Sequence, residues 1–415
     1  MKKNLRSRLD EYASQMQSDE LVVESSSPVD DADENKGVFG DALGLLLVTI
    51  FLTAFGLMMI YSATSHFSGK ETAAFFRNQF IWAIIGCVSG TVAFFMGHKL
   101  LGKLSYWLLG GTALLVLWAR CSREVNGAHR WIHLAGYTFQ PSEMAKIAVA
   151  IFIAWYCSEN LRTFDRLKRK RNGLLQLGGI VGFMLGLILI GEDYGTTALV
   201  GIMSFVTVFV AGLSWFYWLV PIGLGGLMFL YIKAFDAMRW GRLTIFLEPE
   251  HHQNDYGMQL WFSLLALGSG SWFGVGLTKS RFKADYLPEK QTDFILSIVG
   301  EELGFAGIAA VLVLYTLWGF FALRIALKSR DRCGMLLGWA LTVGVMLQAA
   351  INFGAMSGCF PTKGMPAPFI SYGGSNLLGC LIATGILLSI AAYTENPGYR
   401  DIFRRGNENN LDGDF

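Results

Sequence analysis

Long apolar blocks separated by short polar links fill the chain from about residue 41 to residue 395. A helix that crosses the hydrocarbon core of a bilayer needs roughly 20 mainly apolar residues. On that template ten spans are predicted: Asp41–Ser62, Gln79–Gly97, Leu104–Ala119, Pro141–Cys157, Leu174–Ile190, Thr196–Gly212, Trp215–Phe235, Leu303–Ala326, Cys333–Phe353 and Leu377–Tyr393. The expected fold class is therefore an all-α polytopic membrane protein with ten transmembrane helices, its membrane domain occupying residues 41–395. Residues 1–40 read differently, because "SDELVVESSSPVDDADENKG" is acidic and too poor in apolar residues to fold alone. That stretch is expected to be a disordered tail, with 396–415 as a second tail. The first apolar run has the form of an uncleaved anchor rather than a signal peptide.

Composition sharpens this picture. The chain is 53% hydrophobic and 16% charged, against roughly 25% charged in an ordinary soluble domain. A net charge of +2 says little, but the placement of the bases says more. They collect in alternate links: His98, Lys99 and Lys103; the run "LRTFDRLKRKRNG" at 161–173; Arg324, Lys328, Arg330 and Arg332; and Arg400, Arg404 and Arg405. Basic links face the cytoplasm, so both termini are expected there. "DRLKRKR" then reads as a topology signal and not as a nucleic-acid site. The six cysteines show no CxxC pair and no metal spacing, and nothing supports a Cys121–Cys359 bridge. His251 and His252 lack a further ligand at helical spacing, so they make a weak metal site. No Walker loop, GxSxG, HExxH or dinucleotide fingerprint occurs, which argues against nucleotide-driven transport by this chain alone.

Three polar segments fall on the predicted outer side: 120–146, 236–302 and 354–376. The second is a large extracytoplasmic loop between spans seven and eight. Its "YGMQLWFSLLALGSGSWFGVGL" is too apolar for disorder and predicts short amphipathic or re-entrant helices. The loop ends in "YLPEKQTDFILSIVGEELG", with Glu289, Asp293, Glu301 and Glu302. Glu289 and Asp293 are four apart and share a face if helical. Acids near membrane depth are costly and mark functional candidates. For Glu301 and Glu302 the plainer reading, acids in the first turn of span eight, stays open. Asp293, a lone acid inside "TDFIL", is the functional candidate.

The first segment contains "RWIHLAGYTFQPSEMAK". Pro141 suits the first helical position, with Gln140 near the cap. Glu143 falls in the first turn, where the helix dipole favours an acid, and Lys146 lies one turn deeper. They form a simple intrahelical pair, or Lys146 joins Arg130 to hold a phosphate group. "GEDYGTT" at 191–197 offers Glu192 and Asp193, or merely a capped turn. The third segment, "FPTKGMPAPFISYGGSN", breaks helix yet holds Lys363 and several hydroxyls, Ser371 among them. A Lys on a rigid, backbone-rich turn can approach an anion together with exposed N–H groups; a purely structural re-entrant turn is the alternative.

Taken together, "NGAHRWIHLAGYTFQPSEMAK", "YLPEKQTDFILSIVGEELGFAG" and "PTKGMPAPFISYGGSN" resemble three signature regions of the SEDS family (shape, elongation, division and sporulation). The resemblance runs in order from span one to span ten. "PTKGMPAPFISYGGS" is most similar to the cell-division, FtsW-type branch rather than the elongation, RodA-type branch. It implies a peptidoglycan glycosyltransferase of the bacterial inner membrane, working at the division septum. Its substrate would be lipid II, polymerised on the outer face. Its partners would be a class B penicillin-binding protein transpeptidase, other divisome proteins and membrane lipids, with no nucleic acid. The resemblance also implies Asp293 as the essential acid, Glu143 and Lys146 as the acid and base of the "QPSE…K" motif, and Arg130 as the base before Trp131. Three positions depart from the family pattern. Gln291 stands where a His often precedes "TDF", Thr138 where the division branch often has Arg, and Glu192 where Pro opens "PDLGT".

The implied chemistry is glycosyl transfer with a polyprenyl pyrophosphate leaving group. Asp293 would be the general base that takes the proton of the attacking hydroxyl. Arg130, Lys146 and Lys363 would stabilise the departing pyrophosphate, and Glu143, Glu289, Asp193 and Ser371 complete the substrate-binding candidates. No particular cofactor is indicated; a divalent cation, Mg or Mn, beside the pyrophosphate is left open. A competing class is a lipid II flippase or other transporter, which gathers polar residues near the midplane in broken helices. A scaffold that only recruits a synthase would leave Asp293 without a constraint.

Overall fold

The computed structural model describes residues 28–122, 129–134, 137–160, 171–212, 257–282, 291–361 and 364–396, with isolated positions between 223 and 250. In chain order the elements are α1 (Pro28–Thr64), α2 (Gly69–Lys103), α3 (Ser105–Arg120), β1 (Ile132–Leu134), β2 (Tyr137–Phe139), α4 (Pro141–Asn160), α5 (Arg171–Ile190), α6 (Tyr194–Val210), α7 (Met258–Ser269), α8 (Ile295–Leu327), α9 (Arg332–Met356) and α10 (Gly374–Glu395). Six of these are long and apolar enough to cross a membrane: α1 from Val38, α2, α5 from Gly173, α8, α9 and α10. The chain is thus a helical, polytopic membrane protein. Nine predicted spans fall on helices, α1 to α6 and α8 to α10, while two thirds of Trp215–Phe235 lies outside the described residues. The short helix expected within "YGMQLWFSLLALGS" is α7. Helix α1 begins at Pro28, so the end of the stretch expected as a tail is helical. Residues 1–27 and 397–415 lie outside the described residues. The hairpin was not foreseen; β1 and β2 pair antiparallel, with His133 opposite Thr138.

Lipid tails are as apolar as leucine, so helices in a bilayer associate through close packing and polar contacts rather than by escaping water. The contact between α2 and α10 shows this. A Cβ added to Gly385 would lie 2.1 Å from the carbonyl oxygen of Gly90, and one on Gly90 would lie 2.6 Å from that of Leu381. The two backbones touch, and only glycine permits it.

Helix α8 is bent at Gly304, whose φ of 68° is a left-handed conformation. A bend of this kind frees backbone groups, and inside a bilayer these must find partners. The turn after α7 supplies them. Val275 and Gly276 donate their N–H groups to the carbonyls of Glu301 and Glu302, each at 3.0 Å. Phe305 and Ala306 donate in return to Ser271 and Trp272, at 2.9 and 3.1 Å. The acids Glu301 and Glu302 are therefore not first-turn residues of a span. They sit at the bend, about two turns into α8, and are fully buried. Ser62 donates to the Glu302 carboxylate and Ser280 to that of Glu301. The Arg281 N–H adds a 2.6 Å bond to Glu301. Hydropathy alone places acids at a boundary; here hydroxyls and an amide from distant segments carry them inside.

The two ends of the bundle differ. At one end Asp41 of α1 meets Arg324 and Lys328 of α8, at 3.1 and 3.0 Å. Near them, His98 Nε2 lies 3.0 Å from Asp331 Oδ1, and Lys99 sits over the Tyr393 ring. At the other end converge the start of α4, the α5–α6 turn, the start of α8 and the loop between α9 and α10.

Candidate active site at one end of the bundle

The start of α4 is built around Asp193. This residue caps α6, accepting the Thr196 N–H at 3.2 Å. Its other oxygen accepts from Gln140 Nε2 and Ser142 Oγ, both at 2.7 Å. Arg130 NH1 stands 3.9 Å from Asp193 Oδ1. One buried carboxylate thus ties the hairpin entry, the α4 N-terminus and the α6 N-terminus together. The Gln140 N–H also donates to Ser375 Oγ at 2.8 Å, joining α10. Arg130 Nε is buried and has no acceptor in this arrangement.

Glu143 and Lys146 follow on α4, and their side chains meet at 2.6 Å. Both are largely buried, so this is an internal ion pair rather than a surface one. Lys146 Nζ also donates to Gln348 Oε1 at 2.6 Å. An ammonium has three N–H donors; two are engaged here. The pair forms the polar end of a cleft of about 30 Å³, whose deeper walls are Ile147, Met203, Leu341 and Ala383. The cleft is therefore polar where it meets the end of the bundle and apolar toward the bilayer interior.

The loop from Gly364 to Gly373 is irregular backbone held inside the protein. Pro366 and Pro368 have no N–H to satisfy, and buried side chains serve the carbonyls one after another. Asn352 donates to Met365 at 2.7 Å, Gln348 to Pro366 at 2.8 Å and Asn376 to Ala367 at 3.4 Å. Tyr315 donates to Pro368. Ser371 Oγ accepts the Ala367 N–H at 2.7 Å, so its hydroxyl closes the turn. Gln79 of α2 donates to the Ser371 carbonyl at 3.3 Å and accepts the Gly373 N–H at 3.2 Å. Phe369, buried beside Trp318, holds a φ of 63°. Such strain in a non-glycine residue persists only where surrounding structure fixes it.

Asp293 lies just before α8, half-buried. A Cβ on Gly364 would fall 3.0 Å from its Oδ2, so the carboxylate lies directly against the loop. Two further bonds join these segments. Tyr372 donates its N–H to the Gln291 carbonyl at 2.8 Å, and Asn352 Nδ2 donates to the Asp293 carbonyl at 2.9 Å. The structure thus brings Asp293, Ser371, Arg130, Asp193, Glu143 and Lys146 to one end of the bundle. Glu289 and Lys363 lie outside the described residues. The amides Gln79, Gln348, Asn352 and Asn376 were missed from the sequence. Their signal was present, since each is a polar side chain inside or beside an apolar run, and such residues mark function or fixed structure. All six cysteines are free thiols. Among the described residues no three His, Cys, Asp or Glu side chains gather as a metal ligand set.

A helical membrane domain with this end-on cluster of acids, bases and amides matches a known class. Residues 43–396 fit the family model of the FtsW, RodA and SpoVE cell cycle proteins, and the chain belongs to that family. It is 36% identical to the probable peptidoglycan glycosyltransferase FtsW of Trichlorobacter lovleyi, over 84% of this chain and 93% of that protein. It is 35% identical to the stage V sporulation protein E of Bacillus subtilis, over 84% of this chain and 96% of that one. Among solved structures it superposes on a chain of a peptidoglycan synthase complex described as coordinating polymerization and crosslinking. There the TM-score is 0.70 at 25% identity, covering 85% of this chain and 98% of that chain. The fold is shared with the rod shape determining protein RodA of Thermus thermophilus, with a TM-score of 0.62 and coverage of 85% and 96%.

Proposed function

We propose that the chain is a peptidoglycan glycosyltransferase that polymerises lipid II on the outer face of the bacterial inner membrane. In this reading ten helices cross the membrane and both termini face the cytoplasm. The end bearing Asp41, His98, Arg324 and Asp331 is then cytoplasmic, as its basic residues favour. The carrying observation is that the Asp293 segment and the Glu143–Lys146 pair lie at the same opposite end, joined through Asn352 and Gln348 of α9. Lipid II is itself an amphiphile, so its sugar–pyrophosphate head would meet this polar end and its polyprenyl tail the apolar helix faces.

The chemistry follows from the groups present. Asp293 takes the proton of the acceptor hydroxyl as that oxygen attacks C1 of the donor sugar. The C1–O bond to the pyrophosphate breaks, and negative charge grows on the leaving oxygen. Lys146 has one N–H still to give, and Arg130 has a buried Nε without an acceptor. In this reading both would bind that charge, with Lys363, outside the described residues, as the third cation. Asp193 and Gln140 hold Arg130 and the α4 N-terminus, and Ser371 closes the loop that rests on Asp293. A divalent cation would share the leaving-group charge, and Glu289 would complete the acceptor side. A transpeptidase of the class B penicillin-binding type would crosslink the product at the septum, alongside other divisome proteins. A flippase would instead concentrate polar residues at mid-membrane, whereas these crowd at one end.

The experiment is incubation of purified protein, with its crosslinking partner, with lipid II in detergent or liposomes. Glycan chains resolved on a gel support the reading. Scrambling of lipid II between leaflets without any polymer would replace it with transport.

A further inference from the structure

The reading of Asp293 as base leaves open what holds it in register with the leaving-group cation. Helix α9 carries the answer in two amides one turn apart. Gln348 accepts from Lys146 Nζ at 2.6 Å and donates to the Pro366 carbonyl. Asn352 spends both of its N–H donors on two carbonyls, those of Asp293 at 2.9 Å and Met365 at 2.7 Å. Because both donors are engaged, the amide has one orientation. Its Oδ1 is left buried without a donor, an arrangement that costs stability. The side chain is 98% buried, being 2% exposed, and belongs to neither Asp293's segment nor the loop.

We propose that Asn352 is a positioning residue for Asp293, and that α9 acts as a ruler between base and cation. Four residues along a helix advance about 6 Å. The segment bearing Asp293 is anchored at Asn352 and the Lys146 ammonium at Gln348, so a rigid helix sets their separation along the helix axis. The same two amides fix the loop against which the Asp293 carboxylate rests. This inference rests on the proposed role of Asp293.

The test compares three variants of the full-length protein with its partner in lipid II polymerisation. Asn352→Leu keeps the branched shape and removes both donors; Asn352→Ala is the second choice should Leu not fold. Ser263→Ala is the control. Ser263 Oγ bonds Ser297 Oγ at 2.6 Å and the Met356 carbonyl at 2.8 Å, tying α7 to the same two helices without touching Asp293. Asp293→Asn reports on the base itself. The expected result is a fall in kcat of roughly 100-fold for Asn352→Leu, the order produced by a displacement of about 1 Å. KM should stay within about threefold, because substrate contacts are not removed. Ser263→Ala should keep kcat within a few-fold at a comparable drop in thermal midpoint. If Asn352→Leu polymerises at the wild-type rate while Asp293→Asn is dead, the positioning role is wrong and the base stands. Rate losses that track the thermal midpoint equally in the Asn352 and Ser263 variants would reduce Asn352 to a packing residue. An active Asp293→Asn would remove the base itself and the inference with it.

Discussion

Replacing Lys146 by Met takes the cation from a buried pair and leaves Glu143 behind. At 2.6 Å the two charges attract by on the order of 6 kcal/mol at an effective dielectric of about 20. Removing two ions from water opposes this by several kcal/mol each. The net worth of the intact pair is therefore small, but the two ways of disturbing it are unequal. A single substitution strands one buried charge and should destabilise by about 3–5 kcal/mol. The double variant Glu143→Gln with Lys146→Met removes both charges and should recover most of that loss. Thermal unfolding with a thiol-reactive dye measures this, since Cys157, Cys333 and Cys380 are buried until the bundle opens. The cycle should give a coupling of about 5 kcal/mol or more, above the roughly 0.5–3 kcal/mol usual for contacting residues. Two single variants that each cost under about 1 kcal/mol, and add in the double, would show that the pair is not a buried ion pair.

Two more predictions follow from geometry. Gly364→Ala would set a Cβ 3.0 Å from Asp293 Oδ2, so the carboxylate must retreat by a few tenths of an ångström. Polymerisation should fall several-fold with the thermal midpoint unchanged; an unaltered rate would mean that the carboxylate position does not matter. At the other end, burial pushes the Asp331 carboxyl up, but the hydrogen bond and charge of His98, then the Gly334 N–H and Lys99, hold it below the usual range. The folded state thus keeps this group ionised to lower pH than the unfolded state does. Its stabilisation is fully present above about pH 4 and is lost as pH falls through the folded value. Asp331→Asn should lower the thermal midpoint at neutral pH, with the deficit shrinking in acid; a deficit equal at both would refute the linkage.

The six long apolar helices were legible because a bilayer demands long apolar runs. Where hydropathy misled, a particular side chain is responsible. Hydropathy starts span eight at Leu303 because Glu301 and Glu302 interrupt the apolar pattern. In the structure α8 starts at Ile295, bends at Gly304, and hides both acids against Ser62 and Ser280. Those partners are 240 and 21 residues away in sequence, so no local pattern shows them. The site was legible as residues but not as an arrangement. Asp293, Glu143, Lys146 and Arg130 stand out as charges among apolar neighbours. That Glu143 and Lys146 pair with each other could be read from their spacing. That Asp193 would be shared among Arg130, Gln140 and Ser142 could not, because three elements meet there. The amides of α9 escaped notice because a neutral polar residue barely dents a hydropathy profile, although its hydrogen bonds decide where the loop lies.

The proposed chemistry depends on one carboxylate, that of Asp293. The most direct measurement is glycan-chain formation from lipid II by purified Asp293→Asn, beside the wild type and with the same partner. The variant should fold, bind its partner and unfold at nearly the wild-type temperature, yet produce no polymer above background. Glycan chains made by Asp293→Asn at the wild-type rate would contradict the account.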